Sequence, residues 1–434
     1  MRNDLPKKFA YLVGLSLMCA TAAQATPAFA RQMGMDCMSC HYQNIPKLNS
    51  FGREFKMSGF TMTGGQKELT SDTAGGLSLP STLNMAIVLK ARVHVDDKTE
   101  NTANGTTAKT EIFDESAFIL GGKIADNVGT SFEVGPGGVF SGKVIFTTEA
   151  LGGRVGASYS TTDALGAFAG TETYTTGLYR PVRQFENRKK TNILQNLGIG
   201  AGEATVVQAY TNINGLYATV GAYAPTHAGS ARTDLDGFKL MARAAYEFSV
   251  ANTTMMLGGY YIGGDVNKNL YAYSGDALYG IADVDALDRT AYGIDFQLEN
   301  TVANMPLMVT AAYVLKNDYT SGFKAASAGF NDAHVYVEIP GNTTGTEQDI
   351  TGFSIDAQLN FTDQYGVKAA FLNHNDNNVD INDYNVYSAG LEYNMRQNVR
   401  FVLEYSYTSS DRDDKADGTS YSGGDLLLMA MTSF

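Results

Sequence analysis

Five consecutive residues near the amino end, Cys37-Met38-Ser39-Cys40-His41, carry the most specific chemistry in the chain. Two thiols three positions apart, followed at once by an imidazole, form the C-x-x-C-H arrangement of covalent c-type haem attachment. The spacing has a mechanical reason. The thiols add to the two vinyl groups of one porphyrin, and His41 is then held where it ligates the iron from one face. A redox C-x-x-C and half of a zinc site are the other readings of this spacing. No second C-x-x-C exists, so a four-sulfur zinc site is excluded.

A haem iron bound by His41 has a second axial position, and a thioether there raises the potential. Met57 and Met62 are the nearest candidates, Met57 the first of the two, whereas Met33 and Met35 precede the motif. Each of these methionines reads equally as apolar lining. Two other histidines, His94 and His374, fall at inward positions near the outer ends of strands, and His227 and His334 fall in loops. Acidic residues cluster as Asp265, Asp276, Asp283, Asp285 and Asp288, and again as Asp411, Asp413, Asp414 and Asp417. Oxygen ligands of this kind attract hard cations, so these loops either gather a metal substrate or are simply solvated.

The elements that must position these residues fall into two parts. Residues 1–25 have a secretory signal's form, with a positive start, an apolar core and a small-residue cleavage site at Ala23-Gln24-Ala25. Cys19 would leave with this segment, so the mature chain would keep only Cys37 and Cys40. Residues 26–65 are dense in Phe and Met but too few to bury a haem and a core of their own. This segment needs a wall from the rest of the chain, and residues 66–80 read as a linker to it.

From residue 81 to 434 the pattern has period two. Phe238, Leu240, Ala242, Ala244, Tyr246 and Phe248 alternate with Lys239, Arg243, Glu247 and Ser249; similar runs recur to the carboxyl end, which closes on Phe434. Short turns are expected near Asp126-Asn127, Glu149–Gly153, Asn212–Gly215, Ala251–Thr254, Asn300–Asn304, Thr362–Gln364 and Met395–Asn398. Longer polar connections lie between them, at about 163–200, 264–288 and 317–348. Short turns on one side and long loops on the other characterise outer-membrane barrels. The expected fold is all-β: an antiparallel transmembrane β-barrel of about 16 strands, with the small amino-terminal cytochrome segment as a plug in its lumen. The chain has no Trp, so Tyr and Phe must form the aromatic girdles. Inward Asp295, Asp356, Glu392 and Glu404 would face inward Lys90, Arg92, Lys239, Arg243 and Arg400.

With 32 basic and 45 acidic side chains the formal charge is −13. Removing residues 1–25, which carry +2, leaves −15 on the mature chain. Such a chain is a poor partner for nucleic acid and a reasonable one for cations.

Residues 25–34, Ala-Thr-Pro-Ala-Phe-Ala-Arg-Gln-Met-Gly, running into the Cys37–His41 motif, resemble the fused monohaem cytochrome–porins of iron-oxidising bacteria. Residues 51–61, Phe-Gly-Arg-Glu-Phe-Lys-Met-Ser-Gly-Phe-Thr, do so as well. That family usually has Thr, Leu and Tyr where Met33, Met57 and Phe60 stand. The resemblance covers residues 25–62 and implies one covalent haem c, held by Cys37, Cys40 and His41. It implies oxidation of extracellular Fe(II) at the outer membrane, with the electron passed to a periplasmic c-type cytochrome. Arg31 would meet a haem propionate, and the protein would work as a monomer or a trimer. Two rival functions stay open: a diffusion porin whose haem segment is a structural plug, and electron transfer with a donor or acceptor other than iron.

Overall fold

The computed structural model describes residues 27–43, 47–72, 76–96, 108–113, 116–135, 140–161, 184–199, 205–224, 234–236, 238–264, 267–274, 277–284, 289–321, 327–330, 336–339, 346–379, 382–410 and 422–434. The signal-like residues 1–25 lie outside them.

Sixteen antiparallel strands form a closed barrel. It begins with Met85–Asp96 and ends with Gly423–Ser433, and these two strands pair, Val93 opposite Leu428. Phe434 seals the seam by exchanging backbone hydrogen bonds with Ile87, at 2.7 and 3.0 Å. The second strand comes in two pieces, Ala108–Ile112 and Ala117–Ala125, both paired with Met85–Asp96. Closure leaves no sheet edge, which a bilayer demands because it offers no water to unpaired backbone groups.

The alternation decides the two faces. Phe238, Leu240 and Tyr246 lie on the outside at 70, 49 and 52 % exposure, while Lys239 and Arg243 between them are buried. Phe146, Phe248, Phe361, Tyr365 and Phe434 are exposed near the short-turn rim, and Tyr159, Tyr261, Tyr313 and Tyr407 toward the other, in place of Trp. All seven expected short turns lie at one end, several of them two-residue turns such as Leu151-Gly152 and Asn214-Gly215, where both residues take positive φ.

Two expectations need correction. Residues 66–80 are no bare linker: Glu68–Ser71 pairs with Leu77–Pro80 as a hairpin. Nor are 264–288 and 317–348 simply polar connections. Asn267–Ser274 and Ala277–Val284 form a small sheet with Asp234–Asp236, and Ser327–Phe330 pairs with Tyr336–Ile339. The physical reason is common to both cases: extended chain beyond the barrel satisfies its N–H and C=O groups by pairing locally.

The lumen is filled from both ends. At the short-turn end it holds the amino-terminal segment, with helices α1 (Pro27–Met33), α2 (Cys37–Cys40) and α3 (Ser50–Met57). Toward the long-loop end it holds residues 184–199, with short helices α4 (Arg188–Thr191) and α5 (Ile193–Asn196). One apolar cluster joins the two inserts through the lumen, running from Met33, Phe55, Met57 and Phe60 past Tyr210, Tyr217 and Tyr260 to Ile193 and Leu194.

Candidate functional site

The Cys37–His41 motif forms α2 and the residue after it. Asp36 caps the helix, its Oδ1 accepting from the Ser39 amide at 3.0 Å. Two of the four residues in this turn are thus the cysteines, and the turn sets both on one short helix before the chain straightens at His41. The backbone of His41 makes an antiparallel bridge with Leu48, flanked by Tyr42 N–H to Lys47 C=O at 2.9 Å and Asn49 N–H to Cys40 C=O at 3.0 Å. Asn49 then caps α3 by accepting from the Gly52 amide at 2.9 Å. Gly52 lies against the Cys40 carbonyl so closely that a Cβ there would sit 2.0 Å from its oxygen. Only glycine lets α3 approach α2 this closely.

The barrel wall grips this segment around its circumference. The Gln43 amide donates to the carbonyls of Pro306 and Gln358 at 2.8 and 2.7 Å. Tyr42 donates its hydroxyl hydrogen to the Asn300 carbonyl. Lys47 Nζ meets Asp356 at 2.6 Å and Thr310 at 2.9 Å. Arg53 is 1 % exposed and pairs with Glu299 at 2.7 Å and Glu247 at 2.9 Å. Glu54 accepts from Arg154 and Asn212 at 2.9 and 2.6 Å. On the opposite wall, the Gln32 Oε1 accepts from Asn84 at 2.8 Å. Even the Cys37 amide reaches the wall, donating to Gln397 in a short turn at 3.1 Å.

Both cysteines are free thiols, Cys37 buried and Cys40 and His41 half-buried. Burial raises the Cys37 thiol to about 11, helped by the negative charge of Asp36 and then by Cys40. The Cys40 thiol is raised by burial first and by Asp36 second. Beside them Met35 and Met38 are exposed at 40 and 37 %.

Cys37, Cys40 and His41 lie together at the short-turn mouth of the barrel. Arg31 lies at the same mouth, donating to the Met85 carbonyl at 2.6 Å. Met57 is 1 % exposed in the apolar cluster, and the Tyr210 hydroxyl donates to its carbonyl at 2.9 Å. Five residues of helix set Met57 roughly 140° around α3 from Gly52, the residue that touches Cys40. Met62 is half-buried against the same cluster, and its carbonyl accepts from Gln32 at 2.7 Å. The rings of Phe29 and Phe60 stack at 4.6 Å, with Phe55 edge-on to Phe29 at 5.3 Å.

His94 and His374 point inward near the long-loop ends of their strands, as expected. His94 lies 3.5 Å from Glu111 and 3.9 Å from Asp425. His374 bonds Asn196 of α5 at 2.9 Å and stacks on Tyr384 at 4.4 Å. His227, His334 and the acidic positions Asp265, Asp276, Asp285, Asp288, Asp411, Asp413, Asp414 and Asp417 lie outside the described residues. Asp283 lies in the small outer sheet. Among the described residues no three His, Cys, Asp or Glu side chains gather to hold a bare metal ion.

Reading the sequence missed Lys47, Arg53 and Glu54 as gripping residues. Their trace was there: charged side chains in a segment too short for its own core have to be buried against partners elsewhere. It also missed residues 184–199 as a lumen insert. Glu186 there meets Arg92 and Lys90 at 3.1 and 3.3 Å, Lys368 donates to the Gln184 carbonyl at 2.6 Å, and Arg289 holds the Leu197 carbonyl at 2.7 Å.

Fold and site together define a porin-type transmembrane barrel that carries its own amino-terminal insert in the lumen. No family model and no curated protein matches the chain. Among solved structures it is similar to outer-membrane expressed OmpT of Vibrio cholerae, at 12 % identity and a TM-score of 0.45, over 85 % of this chain and 100 % of that one. It is also similar to an anion-selective porin from Comamonas acidovorans, at 12 % identity and a TM-score of 0.44, over 81 % and 99 %. A third is the outer membrane channel DcaP of Acinetobacter baumannii, at 12 % identity and a TM-score of 0.45, over 81 % and 97 %.

Proposed function

We propose that this barrel is an outer-membrane electron carrier that oxidises extracellular Fe(II) and delivers the electron to a periplasmic c-type cytochrome. The observation that carries the reading is a C-x-x-C-H helix fixed inside a membrane-spanning wall by buried ion pairs and hydrogen bonds. The residues fit a covalent haem c. Cys37 and Cys40 are uncommitted thiols on one turn, His41 follows them, and the exposed Met35 and Met38 offer apolar surface for a porphyrin to cover. When bound, the haem would supply a one-electron couple, matching the single electron by which Fe(II) and Fe(III) differ.

The chain's own residues do the rest. Cys37 and Cys40 would anchor the group, and His41 would ligate it. Arg31, at the short-turn mouth, has N–H groups beyond the one given to Met85 with which it would meet a propionate. Met57 lies on the wall side of α3 and serves packing, which leaves Met62 as the thioether that would be tested as a further ligand. A diffusion porin is less well served by this lumen, because inserts enter it from both ends and share one apolar cluster.

The test uses outer membranes from cells that express the protein together with haem-maturation machinery. Fe(II) is added without oxygen and the reduced c-haem band is followed, beside a Cys40→Ala control. Prompt reduction absent from the control supports the reading. A haem that dithionite reduces but Fe(II) does not would sink it and turn attention to other donors.

A further inference from the structure

We infer that Arg53 is a positioning residue for His41, carrying the geometry of the barrel wall to the imidazole. What His41 ligates rests on the haem reading above; the linkage itself does not. His41 and Leu48 are a non-hydrogen-bonded antiparallel pair, since the two bonds that define their bridge come from Tyr42 and Asn49 on either side. That pattern turns the Leu48 carbonyl away from the His41 strand. It is met there by Arg53, whose Nη1 donates to it at 2.7 Å. The same guanidinium reaches two carboxylates of the wall, Glu299 through Nη1 at 2.7 Å and Glu247 through Nε at 2.9 Å.

One planar, permanently charged group thus ties two strands of the barrel to the peptide that faces His41. A guanidinium can do this because its donors form a rigid fork, and an ammonium cannot hold the same plane. Tyr42, beside His41, is tied to the wall as well, its hydroxyl donating to the Asn300 carbonyl, but through its own side chain and not through the peptide of Leu48. Lys47 ties the residue before Leu48 to the wall by its side chain, and Glu54, about 100° around α3 from Arg53, docks the helix on Arg154 and Asn212 with no bond to Leu48 among those described. Arg53 is therefore distinct from a residue that merely docks the insert, and Glu54 supplies the comparison.

The test has two readouts on the full-length barrel, assembly being checked by heat-modifiable mobility on gels. In the haem-free protein, hydrogen exchange is followed at the Tyr42 and Asn49 amides, the two bonds flanking the bridge. Arg53→Gln and the wall variant Glu299→Gln are expected to speed exchange there about tenfold, and Glu54→Gln to leave it within about twofold. In the haem-loaded protein, Arg53→Gln and Glu299→Gln move the midpoint potential and Glu54→Gln does not. Arg53→Lys, which keeps the charge and loses the fork, falls between Arg53→Gln and the parent in both readouts. Unchanged exchange in Arg53→Gln would overturn the inference. So would an effect confined to Arg53→Gln and absent from Glu299→Gln, since the wall would then transmit nothing. An equal effect from Glu54→Gln would reduce Arg53 to docking. If no haem can be attached, the functional reading fails while the exchange experiment still decides this one.

Discussion

The ammonium of Lys47 lies 2.6 Å from the carboxylate of Asp356, joining two residues 309 positions apart, both almost wholly removed from solvent. The pair sits where the hairpin holding His41 meets the wall. Removing one partner strands the other charge in the lumen, at a cost of about 3–5 kcal/mol. Lys47→Met or Asp356→Asn should therefore lower the temperature at which the amino-terminal segment becomes protease-sensitive. The double variant Lys47→Met/Asp356→Leu should recover most of the loss. Additive losses in the double variant would show that the two side chains do not act as a pair.

The lumen inserts make a second expectation. Ile193 is fully buried, its amide donates to Ser354 at 3.0 Å, and its side chain fills the space that a Cβ on Gly352 would need. An aspartate at this position would bury a charge with no partner, so the 184–199 insert would leave the wall. Planar-bilayer recordings should show little conductance for the parent and porin-sized steps for Ile193→Asp. Large steps from the parent itself would restore the diffusion-porin reading.

Gly52 gives the sharpest steric forecast. Its missing side chain makes room for the Cys40 carbonyl, and the obstacle to a Cβ is backbone, which cannot rotate away. Gly52→Ala should push α2 from α3 and reduce covalent haem incorporation, measured by haem staining at equal barrel yield. Gly259→Ala, in a barrel strand where the added carbon meets nothing closer than 3.6 Å, should leave incorporation unchanged.

The thiols predict a pH dependence in the haem-free protein. Folding raises the Cys37 thiol to about 11, chiefly by burial and then through Asp36 and Cys40. The folded state thus holds a proton that the unfolded chain, titrating near 8.5, releases sooner. Stability from this group is complete below the unfolded value and falls as pH rises through the interval up to about 11. Alkylation of Cys37 should be slow at pH 8 and accelerate toward that upper value, the thiolate being the nucleophile. Asp36→Asn should shift the profile to lower pH, and an unmoved profile would remove Asp36 as a cause.

Much of the barrel was legible because its signals are local. A period of two tells each residue's face from its immediate neighbours, so Phe238 outward and Arg243 inward follow from a dozen residues of chain. Pairs such as Asn214-Gly215 mark tight turns by their own backbone freedom, and the Cys37–His41 spacing stands out from the sequence without any fold. The seven short turns, the inward charges and the need of residues 26–65 for a borrowed wall were all available in this way.

What the tertiary structure decided is which distant groups meet. Nothing near Arg53 in the chain announces Glu247 and Glu299, 194 and 246 positions away. Nothing near Glu186 announces Arg92 and Glu404. These pairings depend on the circumference and register of a closed ring, which set the facing positions across the lumen only after every strand has paired. Alternation fixes the side of the wall a residue lies on, and closure fixes what stands opposite it.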